Sequence, residues 1–258
     1  MSLALGAQLA HATAIEVFVL KNSILIASDS KQSGPYARVI NKTIIMNDTV
    51  AVANSGEGVD TEVGNWNGQP FFRFSVETLL NEVKGSLPRE ASIPIVEAVI
   101  EDKMKAALNG LTPEMGQFIV KNKKTSERDH VTFFVVGYEN GVPVVDSIYF
   151  EFDWNFSKVS DPRFYSYNPS PQGPKEFNFA LHDAIDALKT NTDPIYRVAQ
   201  TDYPRSLDIT VKNMRRATLK AADLIRLEGK YHPDKVGPPI NTVIIRRNGA
   251  PVTGSLPE

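Results

Sequence analysis

The chain of 258 residues contains no cysteine, so a thiolate nucleophile, a thiolate metal site and disulfides are all ruled out. Its four histidines, His11, His130, His182 and His232, show neither H-x₃-H nor H-E-x-x-H spacing, and no zinc centre is expected. The phosphate-binding patterns G-x-x-x-x-G-K and G-x-G-x-x-G are both missing, so no nucleotide cofactor is expected. Chemistry on this chain must therefore use hydroxyl, carboxylate and amine groups. Lys+Arg 28 against Asp+Glu 30 leaves a net charge of −2, which offers no field to gather phosphate backbones, and nucleic acid is not expected as a partner. Thr13 stands out by what precedes it. Ala10-His11-Ala12 sets small residues at the first and third positions, the A-x-A pattern of a signal-peptidase site, without a basic n-region. Residues 1–12 are expected to be a leader or signal-peptide remnant, implying a periplasmic or secreted protein; a disordered leader on a cytoplasmic protein is the alternative. The stretch LALGAQLAHA is too short for the roughly 20 residues that span a bilayer, so no membrane association is expected.

The elements that must position such groups follow from periodicity. AIEVFVLK, SILIAS, TIIM and TVAVANS are short runs rich in β-branched residues, with Lys21-Asn22 and Asn47-Asp48 as turns, and they predict an antiparallel meander. VETLLNEVKGSL and IPIVEAVIEDKMKAAL carry helical spacing behind Ser75 and Ser92 as N-caps. VTFFVVGYENGVPVVDSIYFEF predicts a hairpin around Glu139-Asn140-Gly141, and RFYSYN a further strand. FNFALHDAIDALKT and SLDITVKNMRRATLKAADLIRLE predict two more helices, and NTVIIRRNG a last strand. With 42% apolar residues and no linker dividing the chain, residues 13–249 are expected to form one domain, with 250–258 a loose tail. The expected fold class is α+β: a four-layer α-β-β-α sandwich, two antiparallel sheets flanked by helix pairs.

The segments T-A-I-E-V-F-V-L-K-N-S-I-L-I-A-S-D-S-K and N-K-T-I-I-M-N-D-T-V-A-V-A-N-S-G resemble the opening of a proteasome β-type subunit, a member of the N-terminal-nucleophile (Ntn) hydrolases. In that family the mature chain begins with a Thr, and an Asp at the end of an A-A-D-S-R-like strand follows sixteen residues later, the separation of Thr13 and Asp29 here. The family's Lys and its later A-G or S-G pair correspond to Lys42 and Ser55-Gly56, once a loop about three residues shorter is allowed for. Val236-Gly237-Pro238-Pro239-Ile240-Asn241 echoes the closing strand. The match covers roughly the fifty residues after Thr13 and is architectural beyond them.

The resemblance implies an amide-bond hydrolase, a threonine peptidase or amidase acting on a peptide or other amide. Thr13 would be the nucleophile and its own α-amine the base, which requires cleavage after Ala12, because an acylated nitrogen cannot accept a proton. Lys42 would tune both groups, Asp29 would hold the Lys42 ammonium, and the Gly56 N–H would donate to the oxyanion. A homo-oligomer, a ring or related assembly, is also implied. Each residue has a plainer role too: Thr13 a strand-entry hydroxyl, Asp29 a turn former, Lys42 an edge-strand gatekeeper of little weight in stability, Gly56 a hinge.

The chain also departs from the family. Val236 occupies the place of a serine and Pro233 that of an acid in the family's amine-orienting Asp-x-x-Ser-Gly group, and Ala14 replaces a usual Thr or Ser. Ser166, Ser170, His232 and Asp234 are the candidates for orienting the amine instead. The alternative function is a catalytically inactive subunit of the same fold, serving as an assembly or binding module.

Overall fold

The computed structural model describes residues 13–31, 40–56, 60–66, 69–108, 112–123, 128–153, 158–168, 174–180, 182–189, 194–208 and 211–256. The leader expected at 1–12 and the candidate Ser170 lie outside these residues. Two hairpins open the fold. Strands β1 (Ala14–Leu20) and β2 (Ser23–Asp29) turn at Lys21-Asn22, and β3 (Thr43–Ile45) and β4 (Val50–Gly56) turn through Asn47. Asn47 shapes its turn with one side-chain oxygen, which accepts the N–H groups of Thr49 and Val50, both at 2.9 Å. A third hairpin, β5 (Asp60–Trp66) with β6 (Gln69–Ser75), has no counterpart in the sequence expectations.

Helix α1 (Val76–Ser86) starts at Ser75, whose Oγ accepts the Thr78 N–H at 3.4 Å, and α2 (Ile93–Leu108) starts directly after Ser92. A helix α3 (Pro113–Lys123) follows. β7 (Arg128–Glu139) and β8 (Val142–Asp153) form the expected hairpin, with Asn140 at φ 50° and Gly141 at φ 75°, the left-handed pair that a two-residue turn of matching twist requires. Short β9 (Lys158–Val159) and β10 (Arg163–Ser166) complete this group.

The next segment departs from expectation. Where helical spacing extends back through Phe177, the chain forms a strand, β11 (Lys175–Ala180), and only Asp183–Lys189 is helical, as α4. Phe177 and Phe179 recur at period two, and Phe179 stacks on Phe134 with ring centroids 4.3 Å apart. Ala180 breaks the strand at φ 67°. After α5 (Ile195–Asp202) and a 3₁₀ turn at Pro204–Leu207, the long helix α6 (Met214–Tyr231) begins where Asn213 Oδ1 caps the Arg216 N–H at 3.0 Å, later than the Ser206 start that periodicity suggests. β12 (Ile240–Arg246) is followed by β13 (Val252–Leu256), which pairs with it from Ile240 opposite Leu256 to Ile244 opposite Val252. The tail expected to be loose is thus partly a strand, because β12 would otherwise leave its backbone donors and acceptors unpaired along one side.

One antiparallel sheet has the order β11-β1-β2-β12-β13, and a second the order β10-β8-β7-β4-β3 with β9 beside β8. Ala14, Phe18 and Leu25 pack beneath α4, α5 and α6, around Ala221, Leu224 and Ile225. Val52, Phe133 and Phe150 pack beneath α1 and α2, around Leu80, Val96 and Ile100. A third apolar cluster joins Ile15, Val17 and Ile26 of the first sheet to Ala53, Phe134 and Val136 of the second. Alternate residues of each strand serve different clusters, as the pleat demands. The protein is a mixed α+β fold with two antiparallel sheets, an arrangement compatible with the expected sandwich. Among the described residues no helix is long and apolar enough to cross a membrane.

Candidate functional site

The last residue of β2, the first of β1 and the residue before β3 converge on one carboxylate. Ile15 lies opposite Ser28, so the start of β1 runs beside the end of β2. The Ala14 N–H donates to Asp29 Oδ1 at 2.9 Å, and the Lys31 N–H to Oδ2 at 3.1 Å. The amide so held is the one that joins Thr13 to Ala14. Lys42 Nζ reaches both Asp29 oxygens, at 3.0 and 2.9 Å, across the gap between the two sheets. Beside it Ser28 Oγ and Thr43 Oγ1 are 3.1 Å apart, a second polar tie between the same elements.

This ion pair is buried: Lys42 is 2% exposed and Asp29 0%. Burial pushes the Lys42 ammonium's pKa down and the Asp29 carboxyl's up, and each is opposed by the other's charge and hydrogen bonds. The edge-strand gatekeeper expected at Lys42 is therefore corrected, since an ammonium so placed is not solvated. Taking two charges out of water is costly, and such a pair persists only with good geometry and further donors, which the Ala14 and Lys31 amides supply. Thr13, one peptide bond from this carboxylate, is 4% exposed.

Gly56 closes β4 opposite Val131. The Asn54 N–H donates to the Lys42 carbonyl at 2.9 Å, so Ser55 and Gly56 lead onward from the Lys42 backbone at the same end of the second sheet. At Gly56 φ is +134°, and an added Cβ would lie 2.3 Å from the His130 carbonyl oxygen. Only glycine fits this corner. Thr13, Asp29, Lys42 and Gly56 thus lie on strand ends that the two sheets present at one edge.

Of the candidates for orienting the amine, His232 and Asp234 follow α6 and Ser166 ends β10. Ser166 ends β10, opposite Asp146, with its Oγ 3.2 Å from Asn168 Oδ1. The next residue, Tyr167, packs on Phe177 and Phe179 of β11, the strand beside β1, with ring centroids 6.1 and 5.1 Å apart. His232 caps α6 and turns to α4, its Nε2 3.5 Å from Asp183 Oδ2. Asp234 is exposed in the turn after α6. Val236, in the serine's place, is buried in the cluster beneath α6. What the sequence expectations miss is that this turn reaches the Asp29 end through backbone carbonyls. The Pro233 carbonyl accepts from the Lys31 ammonium, the Gly237 carbonyl accepts the Ser30 N–H at 3.3 Å, and Ile240 lies opposite Asp29. Lys31 and Ser30 are thereby drawn into the site, and their positions two and one after Asp29 are the signal that could find them. Beyond Lys31 opens a cleft of about 400 Å³ walled by Tyr203, Ile225, Val236 and Pro238, with Arg226 and Lys230 at its side.

Among the described residues no group of three or more His, Asp or Glu side chains could hold a metal ion. No family model matches the chain, and no curated protein matches it.

Proposed function

We propose that the protein is a proteasome-like Ntn hydrolase that cleaves amide bonds with Thr13 after the bond between Ala12 and Thr13 has been cut. The observation that carries this reading is the buried Lys42–Asp29 pair, whose carboxylate also accepts the amide between Thr13 and Ala14. Once freed, the α-amine has an ordinary pKa of about 7.7–8.0, low enough to hold a lone pair at neutral pH. It takes the proton from the Thr13 hydroxyl as Oγ attacks the substrate carbonyl. The nearby Lys42 ammonium disfavours a second positive charge on the amine and stabilises negative charge growing on Oγ. The Gly56 N–H donates to the tetrahedral oxygen, a contribution typically worth on the order of 3 kcal/mol of barrier. The amine proton then passes to the leaving nitrogen, an ester remains on Thr13, and water releases the acid and restores the hydroxyl.

A second reading, a non-catalytic subunit of the same fold, draws support from Val236 in the core. Intact mass of the protein expressed from its full gene separates the two. A chain beginning at Thr13 that gains one covalent group from a β-lactone, with Thr13→Ala gaining none, supports the hydrolase; a mass that retains Ala12 refutes it.

A further inference from the structure

The cleft beyond Lys31 adjoins the candidate site without being needed for its chemistry. Lys31 donates its N–H to Asp29 Oδ2 at 3.1 Å, while its side chain lines the cleft. Gly237, whose carbonyl accepts the Ser30 N–H at 3.3 Å, lines it too. A Cβ at Gly237 would lie 3.0 Å from Lys31 Cδ, so the bare glycine lets the lysine stem lie across it. The Pro233 carbonyl accepts from the ammonium beyond. Stem and head are thus both fixed at the cleft wall, half-buried.

The volume of about 400 Å³ falls in the range of small-molecule sites, about 300–1,000 Å³, which are mostly apolar with a few polar groups to fix orientation. Tyr203, Ile225, Val236 and Pro238 supply the apolar wall here. Among the described lining residues the charged ones are Lys31, Arg226 and Lys230, all cationic. Two of these have acidic partners: Lys230 Nζ bonds Asp202 Oδ2 at 2.6 Å, and Arg226 Nη1 stands 3.8 Å from Asp223 Oδ1. Lys31 differs. Among the described residues its ammonium bonds a neutral carbonyl and no carboxylate, and Asp29, two residues away, is taken by Lys42. An ammonium has three protons to donate, and a carbonyl, unlike a carboxylate, leaves its charge uncancelled where water is partly excluded. The complement of such a cleft is an apolar body that carries one carboxylate.

We propose that this cleft binds an apolar carboxylic acid, with the carboxylate on Lys31 Nζ and the apolar body between Tyr203, Ile225 and Pro238. The site goes beyond the Thr13 reading and does not depend on it: it needs no freed amine, and its ligand is held, not cleaved. It abuts the catalytic edge all the same, because the residue that receives the carboxylate also holds Asp29.

The test titrates the protein expressed from its full gene with N-acetylphenylalanine, followed by saturation-transfer NMR. Saturable binding is expected, with a Kd of about 1 mM or below. N-acetylphenylalaninamide, which keeps the ring and lacks the charge, and N-acetylglycine, which keeps the charge and lacks the ring, should each bind at least about tenfold more weakly. Lys31→Met should lose about tenfold for the acid and stay within about twofold for the amide. Lys31→Arg, which keeps a cation, should stay within about threefold of the parent for the acid. Melting temperatures check that the variants are folded, and Lys31→Gln takes the place of Lys31→Met should that variant not fold. Acetyl-Ala-Ala-Phe separates two sources of the same chemistry: binding tighter than N-acetylphenylalanine assigns a peptide C-terminus and weaker binding a free acid, and both support the site. No saturable binding to the parent, an amide that binds as tightly as the acid, or parent-like binding of the acid by Lys31→Met each overturns the assignment. Hydrolysis is not read, so failure here leaves the Thr13 mechanism standing, and failure of that mechanism leaves this site standing.

Discussion

Replacing Lys42 by methionine keeps most of the side-chain volume and removes the charge. Both partners of the pair are at most 2% exposed, and Nζ bonds both carboxylate oxygens. Removing one member of a buried pair typically costs about 3–5 kcal/mol, because a charge is left without compensation. Asp29 still accepts the Ala14 and Lys31 amides, each worth about 1.5–3 kcal/mol to a charged group, so the loss belongs near 3 kcal/mol. At about 2–4 °C per kcal/mol for a chain of this size, melting should fall by about 6–12 °C. Burial already raises the Asp29 carboxyl's pKa, and Lys42 is the principal influence opposing that rise. Losing Lys42 raises the folded-state value further above the unfolded one. A group so raised stabilises the fold while protonated, and that stability is lost as pH rises through the folded value. The deficit should therefore shrink from pH 7.5 to pH 5.0 in urea titrations, and Asp29→Asn added to Lys42→Met should recover most of it. A single variant within about 0.5 kcal/mol of the parent at pH 7.5, or a double variant worse than the single, would refute the reasoning.

Gly56→Ala places a Cβ against the His130 carbonyl at a φ that L-residues avoid, and should cost at least about 2 kcal/mol in thermal unfolding followed by circular dichroism; a loss under about 0.5 kcal/mol would show the corner to be plastic. Glu228 is fully buried, with one oxygen accepting the Ile185 N–H at 2.9 Å and the other finding no hydrogen-bond partner among the described residues. Burial, helped by Asp183 and Asp186, pushes its carboxyl up to about 7 from the ordinary 4.5. Its contribution is fully present below pH 4.5 and lost as pH rises through 7, a swing of up to about 3 kcal/mol. Relative to the parent, Glu228→Gln should gain stability between pH 5 and pH 8, and a difference that stays constant across that range counts against the burial argument.

Local residues made part of this fold legible. Lys21-Asn22 and Asn140-Gly141 announce their hairpins because turn chemistry is local, and Ser75 announces α1 because a cap needs only the next turn. β11 was hidden because Phe177 and Phe179 run straight into the helical spacing of Asp183–Lys189, and pairing with β1 together with stacking on Phe134 decides for the strand. β13 was hidden because what makes it a strand is the open side of β12, a tertiary fact. In the site, the partnership of Asp29 and Lys42 was accessible through resemblance, but the burial of Lys42 was not, since that depends on how two sheets stack.

The order of the first sheet carries a consequence for biosynthesis. β1 and β2 are flanked on one side by β11 and on the other by β12. The hairpin that bears Asp29 is thus made early, yet both its neighbours lie far downstream in the chain. At about 5–20 residues per second, the 145 residues before β11 leave the β1 side unpaired for about 7–29 s, and the 210 before β12 leave the β2 side unpaired for about 10–40 s. During that interval the nascent hairpin is a template for self-association, and a chaperone's hold on it would favour native yield. The same delay means that the carbonyls of Pro233 and Gly237 fasten Lys31 and Ser30 only once the turn after α6 has emerged, so the buried Asp29 end stays unfinished until then.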